Sequence, residues 1–212
     1  NQDIDIIEEL IRIKGYDKIN LVEPEKVRNE ETLNFRQKLF HLGQRSISSK
    51  GYYEAVTWSF TDQKIDNLTN ESTVPILIIN PISNELNVFR RSIFSNLLFY
   101  LKKNHDRGFQ DISLFEIGPV FYGKKPGEQQ TVIGAVKSGQ KNKKSWSEKT
   151  RIVDIFDMKT DVIKTLIEIG INEDHLIVSN KSKNCYHPGR SGSVNFKTTD
   201  GILLAQFGEI HP

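Results

Sequence analysis

Apolar residues along this chain recur at two periods, and the changes from one to the other mark out its elements. In "DIDIIEELIRIKGYDKI", Ile4, Ile7, Leu10 and Ile11 keep helical spacing, acids come first, Arg12 and Lys14 come last, and Gly15 supplies a stop. That pattern predicts a short helix. The polar stretch "LVEPEKVRNE", with its proline, reads as a linker out of a preceding domain. A longer amphipathic helix is predicted over 31–50 from Leu33, Leu39, Phe40, Leu42 and Ile47, ended by Gly51. Strands are expected over 53–60 and 75–79, then a turn at Asn80-Pro81 and a helix over 92–104 closing in "DRG". The stretch "LFEIGPVFYGKK" alternates like a half-buried strand, so 111–122 should deliver Tyr122 to the lip of a basic turn. Its antiparallel partner is 131–137, across "GKKPGEQQ". "SGQKNKKSWSEKT" reads as an exposed connection and 157–170 as an amphipathic helix. Two or three strands follow, 193–197 and 202–208 among them. Hairpin-linked strands interrupted by a few helices predict an α+β fold with an antiparallel sheet, not a doubly wound parallel one.

Composition narrows the function classes. The 212 residues are 37% hydrophobic, enough for a proper core. With 29 basic and 27 acidic residues the net charge is +2, so no global field argues for nucleic acid or an anionic membrane. No apolar run approaches the roughly 20 residues of a membrane helix. The lone Cys185 excludes an internal disulfide framework and a cysteine-based zinc site, and fits a reducing compartment, so the cytoplasm is the expected location. The chain opens on Asn-Gln-Asp and stops just after a strand pattern, which reads as a piece of a longer protein.

The candidate chemistry is sparse. Neither a GxGxxG nor a GxxxxGK[ST] cradle is present, and lysines at a hairpin tip read as solvated. "HPGRSGS" sets His187 near Ser191, but triad partners meet in space rather than in sequence, and a turn on Pro188-Gly189 is the plainer reading. Cys185 reads as packing, and the histidines at 41, 105, 175, 187 and 211 lack zinc spacing. Trp58, Trp146 and lysines 141, 143 and 144 share no stacking platform and read as loop. Asp5, Glu8 and Glu9 lie at i, i+3 and i+4, three carboxylates on one helical surface. Spacing leaves two readings open for them, magnesium ligation or simple compensation of the helix dipole.

Four stretches in order, "DIIEELIRIKGYDKI", "NPISNELNVFRRSIFSNLL", "DISLFEIGPVFY" and "HPGRSG…FGEIHP", together resemble the β chain of bacterial phenylalanyl-tRNA synthetase. The resemblance implies a domain built like a class II synthetase core, an antiparallel sheet flanked by helices. It implies that residues 28–212 form this catalytic-like module and residues 1–23 the tail of the preceding domain. The helix from Glu31 then corresponds to the interface helix of motif 1, and "VFRRSI" and "LFEIGPVFY" to the paired strands of motif 2. An active core ends its motif-2 strand on an arginine that grips the α-phosphate of ATP, and it needs a glycine-rich motif 3 with a second arginine. This sequence has Tyr122 at the first place and no segment for the second, so the resemblance implies a non-catalytic look-alike.

By the same resemblance the partner is a catalytic α chain, in an (αβ)2 heterotetramer that attaches phenylalanine to its tRNA. ATP would bind at the α subunit, and tRNA mainly at other domains. A magnesium ion (Mg2+) would be held by Asp5, Glu8 and Glu9, with a further aspartate falling before Asn1. The alternatives are a stand-alone biotin- or lipoate-transferring ligase, which would need a glycine-rich adenylate segment with a reactive lysine, and a nucleic-acid-binding module.

Overall fold

A computed structural model describes residues 2–24, 32–70, 74–142, 145–147, 149–199 and 201–211. The chain divides into two compact units, Asn1–Asn34 and Phe35–Pro212. In the first, α1 spans Asp3–Lys14 and buries none of its side chains. It ends where the sequence predicts, because Gly15 takes φ +98°, and its N–H donates to the Ile11 carbonyl at 2.8 Å. Residues 25–30 of the expected linker lie outside the described residues.

The second unit runs, in chain order, α2 (Phe35–Ser48), β1 (Tyr53–Glu54), β2 (Phe60–Thr61), α3 (Gln63–Asn67), β3 (Ile76–Leu77), β4 (Val88–Phe89) and α4 (Ile93–His105). It continues with β5 (Ile112–Phe121), β6 (Gln129–Ser138), α5 (Ile155–Glu168), β7 (Leu176–Ser179), β8 (Tyr186–Phe196) and β9 (Leu203–Ile210). The strands form three sheets, ordered β1-β5-β6, β2-β4-β3 and β7-β8-β9.

The hairpin is the backbone of the first sheet: β5 and β6 pair antiparallel from Ile112 opposite Ser138 to Phe121 opposite Gln129. Alternation sends Phe115 and Ile117 to one face, where they pack with Ile47 and Phe40 of α2. Leu114, Val120 and Val136 face the other way, onto Ile93 and Leu97 of α4. Glu116 and Gly118 share that second face. In the third sheet, Leu166 of α5 covers Val194 and Phe207.

The structure corrects the sequence reading at four places. Helix α2 begins at Phe35 rather than at 31, after Asn34, a residue type that favours the N-cap position. The strand expected over 53–60 is two short strands in different sheets, and β1 pairs parallel with β5, Tyr53 opposite Leu114. The chain leaves the ladder after Ala55 because Thr57 is drawn to buried polar partners, described below. "HPGR" is extended strand with a register shift between Tyr186 and Ser191, not a turn. The "VFRRSI" segment pairs as β4 with β2 and β3, whereas the ladder partners of β5 are β1 and β6. Its backbone meets β5 where Phe121 N–H donates to the Arg90 carbonyl at 3.1 Å.

A row of acids on α5 ties it to the first sheet and α2. Tyr52 O–H donates to Asp161 at 2.7 Å, and burial beside that carboxylate pushes the phenol's pKa up. Lys50 pairs with Glu168 at 2.6 Å, and Arg151 grips Asp157 with two N–H groups, at 2.6 and 2.7 Å. The Arg151 guanidinium, reinforced by Lys141, holds the Asp157 carboxyl well below the usual carboxylate range against the opposing effect of burial. Lys50 and Ser46 lower that of Glu168. A carboxyl depressed in the folded state stabilises the fold above its unfolded pKa of about 4, and that contribution is lost as pH falls toward the folded value. The melting midpoint should therefore drop as pH falls below about 4. Asp157→Asn should lower the midpoint by a few degrees at neutral pH and show a shallower acid limb. A parallel acid limb in thermal melts would refute this.

Candidate functional site

β5 ends where a ligand-gripping residue would stand. Tyr122 follows its last residue, 68% exposed, and its N–H donates to the Glu128 carbonyl at 3.1 Å. Glu128 also folds the hairpin tip, its carboxylate accepting from Lys125 N–H at 2.9 Å, while Lys124 and Lys125 remain exposed. A phenol there carries no permanent charge.

The cations that could have served instead are the two arginines after β4, and both are committed inward. Arg90 is 1% exposed and pairs with Glu116 at 2.6 Å. Its Nε donates to the Pro119 carbonyl at 2.8 Å, and its Nη1 also donates to Thr57 Oγ1 at 3.0 Å. Thr57 O–H in turn donates to Glu116 at 2.7 Å, and Asn96 Nδ2 donates to Thr57 Oγ1 at 3.0 Å. Gly118 makes room for this cluster, since a Cβ there would lie 2.5 Å from Arg90 Nη2. Arg91 turns to Asp66, which is fully buried: its Nε donates to Oδ2 at 2.5 Å and its N–H to Oδ1 at 3.1 Å. Arg90 thus touches β5 near its end and Arg91 follows it, and neither guanidinium is available to a phosphate in solvent.

The sequence alone did not reveal Arg90, Glu116, Thr57, Asp66 or Arg91. One signal was present: Glu116 is an acid in the middle of an apolar strand, and a buried carboxylate requires a cation nearby.

The three carboxylates predicted as magnesium ligands are exposed on α1. Asp5 accepts from Gln2 N–H at 2.8 Å as part of the helix N-terminus. Glu9 pairs with Arg12 at 2.5 Å. Among the described residues no three His, Cys, Asp or Glu side chains gather as a metal-holding group. His187 and Ser191 make no catalytic pair. The serine O–H donates to the His187 backbone carbonyl at 2.7 Å, and the ring accepts from Gly189 N–H at 3.1 Å. Lys141 is paired with Asp157 rather than simply solvated, and Lys143 and Lys144 lie outside the described residues. Among the described residues no helix is long and apolar enough to cross a membrane.

Comparison with known proteins places this arrangement. Residues 19–212 match the family model of the phenylalanyl tRNA synthetase beta chain CLM domain. The chain is 35% identical over 209 residues to the phenylalanine–tRNA ligase beta subunit of Paramagnetospirillum magneticum, covering 98% of this chain and 26% of the relative. It is 36% identical over 209 residues to that of Rickettsia bellii, covering 98% and 23%. It therefore spans about a quarter of the length of these relatives. Two solved structures of pyrrolysyl-tRNA synthetase from Desulfitobacterium hafniense share the fold, with TM-scores of 0.59 and 0.60. They cover 81% and 95% of this chain and 55% and 67% of their own, at 15% and 14% identity. The architecture is thus α+β of the class II synthetase kind, and the match does not support a stand-alone biotin- or lipoate-transferring ligase. Matched over nearly its whole length by these subunits, the chain belongs to the phenylalanyl-tRNA synthetase β-chain family.

Proposed function

We infer that this chain is the non-catalytic, catalytic-like domain of a phenylalanine–tRNA ligase β subunit, packing against the catalytic α chain in an (αβ)2 enzyme of the cytoplasm. That enzyme uses ATP, bound at the α subunit, to attach phenylalanine to its tRNA, and engages tRNA mainly through other domains. The observation that carries the reading is the end of β5, where exposed Tyr122 stands and both nearby arginines are held in buried ion pairs. Catalysis of adenylate formation needs cations aimed at developing phosphate charge, and here the lysines of the hairpin tip are the nearest exposed ones in sequence. Helix α2 is the proposed contact with the α chain; its first residue, Phe35, is 77% exposed.

Residues 1–23 are assigned to the tail of a preceding domain, and the start of the family match at residue 19 supports a boundary in that region. Asp5, Glu8 and Glu9 are proposed as magnesium ligands of the longer protein, together with an aspartate from outside this chain. Their hard oxygens suit the ion. As placed, however, Asp5 is committed to the helix terminus and Glu9 to Arg12, so the three do not form a site by themselves.

Co-expression with a synthetase α chain tests the partner. The two chains should co-elute in gel filtration, and independent elution would overturn the assignment. For the chemistry, the chain alone should give no phenylalanine-dependent pyrophosphate exchange. Tyr122→Arg should give none either, because one arginine at the strand end does not rebuild the second cation. Exchange above background in that variant would refute a scaffold role.

A further inference from the structure

The face of the third sheet turned away from α5 carries a row of small polar side chains. Ser179, Ser193 and Gln206 stand directly opposite one another across β7, β8 and β9. They and Asn195 floor a groove of about 540 Å3, within the roughly 300–1,000 Å3 of small-molecule sites. The floor is braced from behind, since Val194 and Phe207 on the opposite face are buried under α5.

Among the described residues the charged groups that line the groove have one sign. Lys181 and Lys183 line one wall, and among the described residues no acid lines it. The floor adds donors. The Ser179 and Ser193 hydroxyls lie 2.8 Å apart, and Asn195 Nδ2 donates to Ser193 Oγ at 3.2 Å. One serine proton closes the pair, which leaves the other hydroxyl free to donate outward. A proton donor at the floor and two ammonium groups at the rim match an oxyanion. Ile177 and Leu203, which flank Asn195 across the three strands, offer apolar surface to the body that carries it.

We propose that the groove on the β7–β8–β9 sheet binds a small organic oxyanion, a carboxylate or a phosphate ester, with its charge between Lys181 and Lys183 and its apolar part against Ile177 and Leu203. Its lining shares no residue with the end of β5.

Titration of the isotope-labelled full chain, followed through the amides of Ser179, Ser193, Asn195 and Gln206, tests it. Three probes share one ring: benzoate, phenyl phosphate and neutral benzyl alcohol. At least one of the two anions should give saturable shifts confined to the groove, with a dissociation constant at or below about 1 mM. The anion that saturates identifies the headgroup. Lys181→Ala/Lys183→Ala, two exposed surface changes, should weaken that binding about tenfold, the loss expected for about 1.4 kcal/mol of charge-assisted contact. The proposal is overturned if neither anion saturates, if benzyl alcohol shifts the same amides equally, or if the double variant binds as tightly as the parent.

Discussion

Glu116→Ala should destabilise the chain by about 3–5 kcal/mol, measured by urea unfolding, because it strands the Arg90 guanidinium in a site only 1% exposed. The loss has three parts. The pair at 2.6 Å disappears, Thr57 O–H loses its acceptor at 2.7 Å, and the guanidinium keeps only the Pro119 carbonyl and Thr57 as neutral partners. Alanine also leaves a void against Gly134, the residue opposite Glu116 on β6. A guanidinium cannot shed its charge to relieve the burial, so the cost falls on folding itself. The control is the double variant Arg90→Met/Glu116→Leu, which removes both charges and keeps apolar volume. It should recover most of the loss, since replacing a buried pair by packed hydrophobic groups is often neutral. A single variant costing under about 1 kcal/mol would show that water reaches Arg90.

The same cluster explains what could and could not be read from the chain. The β5–β6 hairpin was legible because its alternation is strict and its turn is polar, both local properties. Helix α1 was legible because Gly15 is the one residue type that takes φ +98° without strain. The break between β1 and β2 was not legible. Residues 53–60 carry Tyr53, Val56, Trp58 and Phe60, a run with good strand propensity, and no local rule ends it at Ala55. What ends it is Thr57, held by Glu116, Arg90 and Asn96 from distant parts of the sequence. Arg90 and Arg91 were hidden for a related reason: charged residues default to the surface unless paired, and their partners lie 26 and 25 positions away. At the candidate site the family resemblance implied the missing arginine at Tyr122. It did not show that the two arginines following β4 serve as internal ties.

Asp66→Ala should cost about 3 kcal/mol or more, by the same physics applied to the second arginine. Asp66 is fully buried and accepts from Arg91 Nε at 2.5 Å, Arg91 N–H at 3.1 Å and Asn70 Nδ2 at 3.3 Å. It also sits in α3, five residues long and too short to persist without tertiary support. The carboxylate is therefore the charged tie between α3 and the segment that leads from β4 into α4, beside neutral ties from Arg91 to Asn67 at 2.7 Å and from Gln63 N–H to Asn87 at 3.0 Å. Asp66→Asn separates the two contributions. Its amide oxygen can still accept one of these bonds, while the charge that balances Arg91 is gone. The asparagine variant should fall between the parent and alanine, and hydrogen exchange should rise first at 63–70 in both. Equal losses for the two variants would assign the whole effect to charge. Unchanged exchange over 63–70 in the alanine variant would mean that α3 is held by its packing and its neutral hydrogen bonds, and that Asp66 serves only to neutralise Arg91.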